Sequence, residues 1–124
     1  MNKKKLSGIE LNISERMILL GLLPDKGNID QIRKISLLRG LIGFDDAEIL
    51  KMNIRKPNEL YYDDNGQQAV VPEGKIIWDD ENEEPRQFKF GASDLNIIYD
   101  ILNGLNDSGQ LTEEHISLYE KFVN

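Results

Sequence analysis

Three times in the first 48 residues an Asn or Asp stands three positions ahead of a Glu or Gln: Asn12 with Glu15, Asn28 with Gln31, Asp45 with Glu48. A helix leaves its first N–H groups without internal partners. A short polar side chain accepts from one of them, while the Glu or Gln three residues on reaches back to the cap's own N–H. The spacing therefore predicts three helix starts, and the residues that follow supply the helices. Residues 12–23 form the first, ended by Pro24; Met17, Ile18, Leu19, Leu20, Leu22 and Leu23 cover nearly every direction, which predicts a central, buried helix. Residues 29–42 form the second, with Ile32, Ile35, Leu38, Leu41 and Ile42 on one arc and Gly43 just past the end. The third is short, about 45–52, with Phe44 placed to staple onto Ile49.

From Asn53 to Phe90 the pattern changes to short β-rich runs: Glu59 to Tyr62, Gln67 to Val71, Lys75 to Trp78 and Arg86 to Phe90. Turn residues separate them at Asp63-Asp64-Asn65-Gly66, Pro72-Glu73-Gly74 and Asp79 to Pro85. The best hairpin pairs 75–79 with 86–90, setting Ile76 and Trp78 on one face of one strand and Phe88 and Phe90 on one face of the other. Helical spacing resumes over 92–105, burying Leu95, Ile98, Tyr99, Leu102 and Leu105, with Ile97 and Ile101 widening the arc enough to touch two neighbours. Thr112 caps a fifth helix whose buried face is Leu118, Tyr119, Phe122 and Val123. The expected class is α+β: five helices around a small antiparallel sheet or hairpin, three before and two after the strands. No repeat or linker divides the chain, so 1–124 reads as a single domain, with 1–8 a flexible N-terminal end.

Charge and composition restrict the function. Of 124 residues, 15 are Lys or Arg and 22 Asp or Glu, a net charge of -7 that repels nucleic acid and anionic lipid at long range. The charge is uneven: residues 1–43 hold eight basic and four acidic side chains, and 44–124 hold seven and 18. Lys3 to Lys5 are not followed by the apolar run of an export signal. Met17 to Leu23 falls far short of a membrane span, so a cytoplasmic protein with no membrane partner is expected. With no Cys, thiolate metal sites and Cys nucleophiles are excluded.

No residue set names a reaction. The lone His115 sits inside the apolar arc of the fifth helix and reads as a structural histidine. Gly74-Lys75 runs into Ile76 instead of Ser or Thr, which excludes a Walker-type phosphate loop. The acidic run Asp79 to Glu84 fails as an EF-hand, since Pro85 falls where the loop's Gly must sit and Gly91 where its bidentate Glu belongs. It reads instead as a solvated hairpin tip. No catalytic, metal or cofactor-binding residue is assigned, and no cofactor is expected. Three helices followed by a hairpin is also the order of winged-helix DNA-binding regulators, but Asp45, Asp46 and Glu48 crowd the start of the would-be recognition helix, which makes nucleic acid an unfavoured partner. An acidic DNA mimic is a second alternative, opposed by the basic N-terminal part. The remaining candidate is a partner surface formed by Asp30, Arg33 and Leu37, where a Leu lies among charges opposite the apolar arc of the second helix; its competing role is to be covered by the middle segment.

Ser14-Glu15-Arg16-Met17-Ile18-Leu19-Leu20-Gly21-Leu22-Leu23-Pro24, the following Gly27, the Phe44 to Glu48 cap, Trp78 and the closing run from Leu111 to Phe122 together resemble a family of small uncharacterised proteins encoded in tailed phages and prophages. The chain departs from that pattern in a longer Asn53 to Gly74 stretch. The resemblance implies a shared fold and a phage-like origin, and no activity. The expected function is a non-enzymatic protein-interaction or accessory module; its protein partner and oligomeric state are not specified by these residues.

Overall fold

The computed structural model describes residues 8–123. The expected flexible end, 1–8, lies outside the described residues except for Gly8. The fold is α+β, and its elements group into two compact units, one made of 1–43 with 85–124 and the other of 44–84.

The first unit begins with a strand, β1 (Ile9–Leu11), followed by α1 (Ile13–Leu22) and α2 (Ile29–Ile42). It resumes with a second strand (Arg86–Phe88), α4 (Ala92–Asp107), a 3₁₀ turn (Glu113–His115) and α5 (Ile116–Phe122). The second unit holds α3 (Asp46–Lys51), a hairpin of β2 (Leu60–Tyr62) and β3 (Gln68–Val70), and a 3₁₀ turn at Asp80–Asn82. The strand Arg86–Phe88 is β4. All three predicted capping boxes form: Asn12, Asn28 and Asp45 accept from the N–H of Glu15, Gln31 and Glu48, and those side chains accept from the cap N–H groups in return.

The predicted hairpin of 75–79 with 86–90 is not formed. Arg86–Phe88 pairs antiparallel with Ile9–Leu11 instead, Ile9 opposite Phe88 and Leu11 opposite Arg86. Of the 75–79 segment, Ile77 makes a single bridge to Arg55. The reason is burial: Ile9, Leu11 and Phe88 all belong to the main core, with Leu11 fully buried, so pairing β4 with β1 puts apolar side chains of both strands on the inner face. A two-stranded sheet alone is marginal. Here helices cover it: Leu19 and Leu23 of the α1 region, Ile35, Leu38 and Ile42 of α2, Ile98 and Leu102 of α4, and Leu118 and Phe122 of α5 complete the cluster. Phe88 stacks on Phe90 at 5.7 Å, and Phe90 meets the edge of Phe122 at 5.5 Å. The strands thus form two separate two-stranded sheets, where one small sheet was expected.

Two burial expectations also change. Tyr99 is exposed on α4, because Ile98 and Leu102 define its inward direction. In α1 the deepest side chains include Glu15 and Arg16 beside Ile13 and Leu19, whereas Met17, Ile18, Leu20 and Leu22 are half-buried.

In the second unit Met52, Ile54 and Val71 are buried. The β2–β3 turn is the predicted Asp63-Asp64-Asn65-Gly66. Asp63 Oδ1 accepts from the N–H of Asn65 and of Gln67, and Gly66 takes a φ of 78° that L side chains rarely adopt.

Candidate functional site

The capping box at Asn28 and Gln31 fixes where α2 starts, and Ile35, Leu38 and Ile42 fix which side of it enters the core. The direction of every other α2 side chain follows from the 100° step. Asp30, Arg33 and Leu37 are all exposed, and Leu37 keeps 76% of its surface accessible. Ile29, Arg33 and Leu37 follow one another at intervals of four, so they form a single stripe about 12 Å long, with Ile29 at 63% exposure closing its other end. The i, i+4, i+8 spacing that brings Ile29 into the stripe is visible in the sequence.

Beyond Asp30 and Lys34 on the α2 surface lies a groove of about 570 Å³ between α2 and α4. Its apolar lining is Ile35 with Ile97 and Ile101, the two residues expected to widen the α4 arc toward a second neighbour. Lys26 and Lys34 stand along it on the α2 side and Asp100 on the α4 side. Among the described residues, neither Lys26 nor Lys34 takes part in an ion pair. A surface with an apolar stripe, two cations and an apolar groove can take up a protein segment.

His115, Asp94 and three carboxylates of the acidic run help to hold the fold. His115 is 8% exposed and its Nδ1 accepts from the Thr112 N–H at 3.0 Å, taking the capping-box place usually given to Glu or Gln. Asp94 accepts from the Gly91 N–H at the start of α4. The acidic run is not a hairpin tip: Asp79 pairs with Arg55 at 3.1 Å, Glu83 accepts from Trp78 Nε1 at 3.0 Å, and Glu84 pairs with Lys51 at 2.7 Å. Asp80–Asn82 between them forms the 3₁₀ turn.

Among the described residues no helix is long and apolar enough to cross a membrane. No family model, curated protein or solved structure matches the chain.

Proposed function

We propose that this chain is a non-catalytic protein-interaction module of the accessory type that phages and prophages encode, acting in the cytoplasm, and that its partner docks over the outer face of α2. The observation that carries this reading is the exposed stripe Ile29, Arg33 and Leu37, with Leu37 at 76% exposure on a helix whose opposite side enters the core through Ile35, Leu38 and Ile42. Burying a Leu of that exposure against a partner contributes about 2 kcal/mol, whereas leaving it in water gains the isolated chain nothing. Arg33 between the two apolar residues supplies the directional, charge-assisted contact that orients a partner. The engagement of His115, Asp94 and Glu15 in caps and ion pairs supports a non-catalytic role.

The test is capture from host or infected-cell lysate with wild-type and Leu37→Asp baits, each checked by thermal melting. The expected result is a specific protein lost with Leu37→Asp at an unchanged melting temperature. A bait that unfolds would make Leu37 a core residue and overturn the reading, and so would capture that is identical with both baits.

A further inference from the structure

The second unit presents an apolar surface of its own. In the β2–β3 register Leu60 lies opposite Val70 and Tyr62 opposite Gln68, so Leu60, Tyr62 and Val70 share one sheet face. They are 63%, 70% and 53% exposed. Leu60 and Val70 are a facing pair on that sheet, and such pairs bring side chains within packing distance of one another. The opposite face, Tyr61 and Ala69, is the half-buried one. Three large side chains on the outer face of an isolated hairpin form a patch that solvent alone does not account for.

Tyr62 also belongs to a cleft of about 510 Å³, bounded by β2 and its turn on one side and by residues 77–81 on the other. Its rim carries Asp63, Asp64, Asp80 and Glu81, with Trp78 in the wall. Residues 44–84 hold twelve acidic and four basic side chains, against ten and eleven in the rest of the chain, so the whole of the molecule's excess negative charge lies in this unit. One guanidinium is already accommodated here: Arg55 lies 5.5 Å from the Tyr61 ring centre and pairs with Asp79. Its charge is met by that carboxylate, which leaves those of Asp64, Asp80 and Glu81 without an ion-pair partner among the described residues.

We propose that the Leu60, Tyr62 and Val70 face, together with the acidic cleft that Tyr62 shares with it, docks an extended basic segment of a partner protein. The segment's apolar residues cover the sheet face, and its Lys or Arg side chains enter the cleft, where carboxylates and aromatic faces both favour a cation. The occupant follows from charge complementarity: an acidic segment would meet uncompensated repulsion, and a neutral one would leave the cleft's carboxylates without counter-charge. This surface is separate from the α2 stripe and stands or falls independently of it.

Trp78 is the only Trp in the chain and lines the cleft, so its fluorescence reports occupancy. The full chain is titrated with a synthetic peptide of alternating Val and Lys or Arg, and with a counterpart in which each basic residue is Glu. Saturable quenching or shift of the Trp78 emission is expected for the basic peptide alone, weakening as salt shortens the screening length from about 10 Å at 0.1 M to about 3 Å at 1 M. Both Asp80→Lys with Glu81→Lys and Leu60→Ser with Val70→Ser are expected to weaken it by about tenfold or more. Unchanged melting of the variants, and full peptide binding by Leu37→Asp, keep this result distinct from the α2 reading. Equal binding of the two peptides, no saturable response, or no effect of the variants overturns the proposal. A concentration-dependent dimer abolished by Leu60→Ser with Val70→Ser also overturns it, in favour of a second copy as occupant.

Discussion

Glu15 and Arg16 are adjacent, nearly fully buried and oppositely charged, yet they serve different ends of different helices. Arg16 donates from Nε to the Ile42 carbonyl at 2.9 Å and from Nη2 to the Gly43 carbonyl at 2.6 Å, placing a cation on the C-terminal carbonyls of α2, where the helix dipole is negative. Its guanidinium also lies 5.2 Å from the Phe88 ring centre. Glu15 completes the α1 capping box and accepts from Lys121 Nζ at 2.8 Å, while the same ammonium donates to the Glu10 carbonyl. Burial pushes the Glu15 carboxyl up, but the hydrogen bonds from Lys121, the Asn12 N–H and Ser117, with the Lys121 charge, outweigh it and hold the group below its ordinary value. A carboxyl depressed in the folded state contributes stability that is complete above its unfolded value and is lost as pH falls through the folded one. Denaturant titrations are therefore expected to show stability declining as pH falls below the ordinary glutamate value of 4.5, and Glu15→Gln to flatten that part of the decline. At neutral pH, Lys121→Met is expected to cost about 2 kcal/mol by leaving the buried carboxylate without its charged donor. A pH profile unaltered by Glu15→Gln would show that other carboxylates govern acid unfolding.

At the scale of elements, helix starts were legible and strand pairing was not. A capping box is a local device: Asn12, Asn28 and Asp45 find their partners three residues away, so spacing alone announces them. The partner of Arg86–Phe88 lies at the other end of the chain, and no turn joins it to Ile9–Leu11. Adjacency in sequence favoured a hairpin with 75–79, whereas the buried face of β1 favoured the remote pairing. Because the chain has no Cys, this register can be tested cleanly. Glu10 and Gln87 face each other, with Gln87 Nε2 donating to Glu10 Oε1 at 3.3 Å. Glu10→Cys with Gln87→Cys is expected to close under mild oxidation, seen as loss of the two thiol hydrogens in the intact mass. The closed form is expected to be about 4 kcal/mol more stable than the reduced one, since the bond spans most of the chain. Failure to close would return Arg86–Phe88 to pairing with the segment before it.

At the scale of the whole molecule, the charge division seen in the sequence at residue 43 coincides with a boundary between compact units, and the acidic excess falls within 44–84. That distribution bears on the DNA-binding alternative. The hairpin of 75–79 with 86–90 that would have followed its three helices is absent, and the one that follows α3 has Asp63 and Asp64 at its turn. Binding to a random duplex at ~50 mM salt, conditions that favour non-specific association, is expected to be undetectable by anisotropy. A micromolar, salt-sensitive complex abolished by Arg33→Glu with Lys34→Glu would replace the interaction module with a nucleic-acid reader. By itself the sequence determined the helix starts at Asn12, Asn28 and Asp45, the β2–β3 turn and the inward face of α2, because each depends on residues within a few positions of one another. Tertiary structure alone decided that β4 pairs with β1, that Arg16 reaches the end of α2, that Ile97 and Ile101 meet Ile35 in a groove, and that Tyr62 joins an apolar face to an acidic cleft. Each of those joins groups far apart along the chain, where the selecting force is shared burial in three dimensions and no local spacing records it.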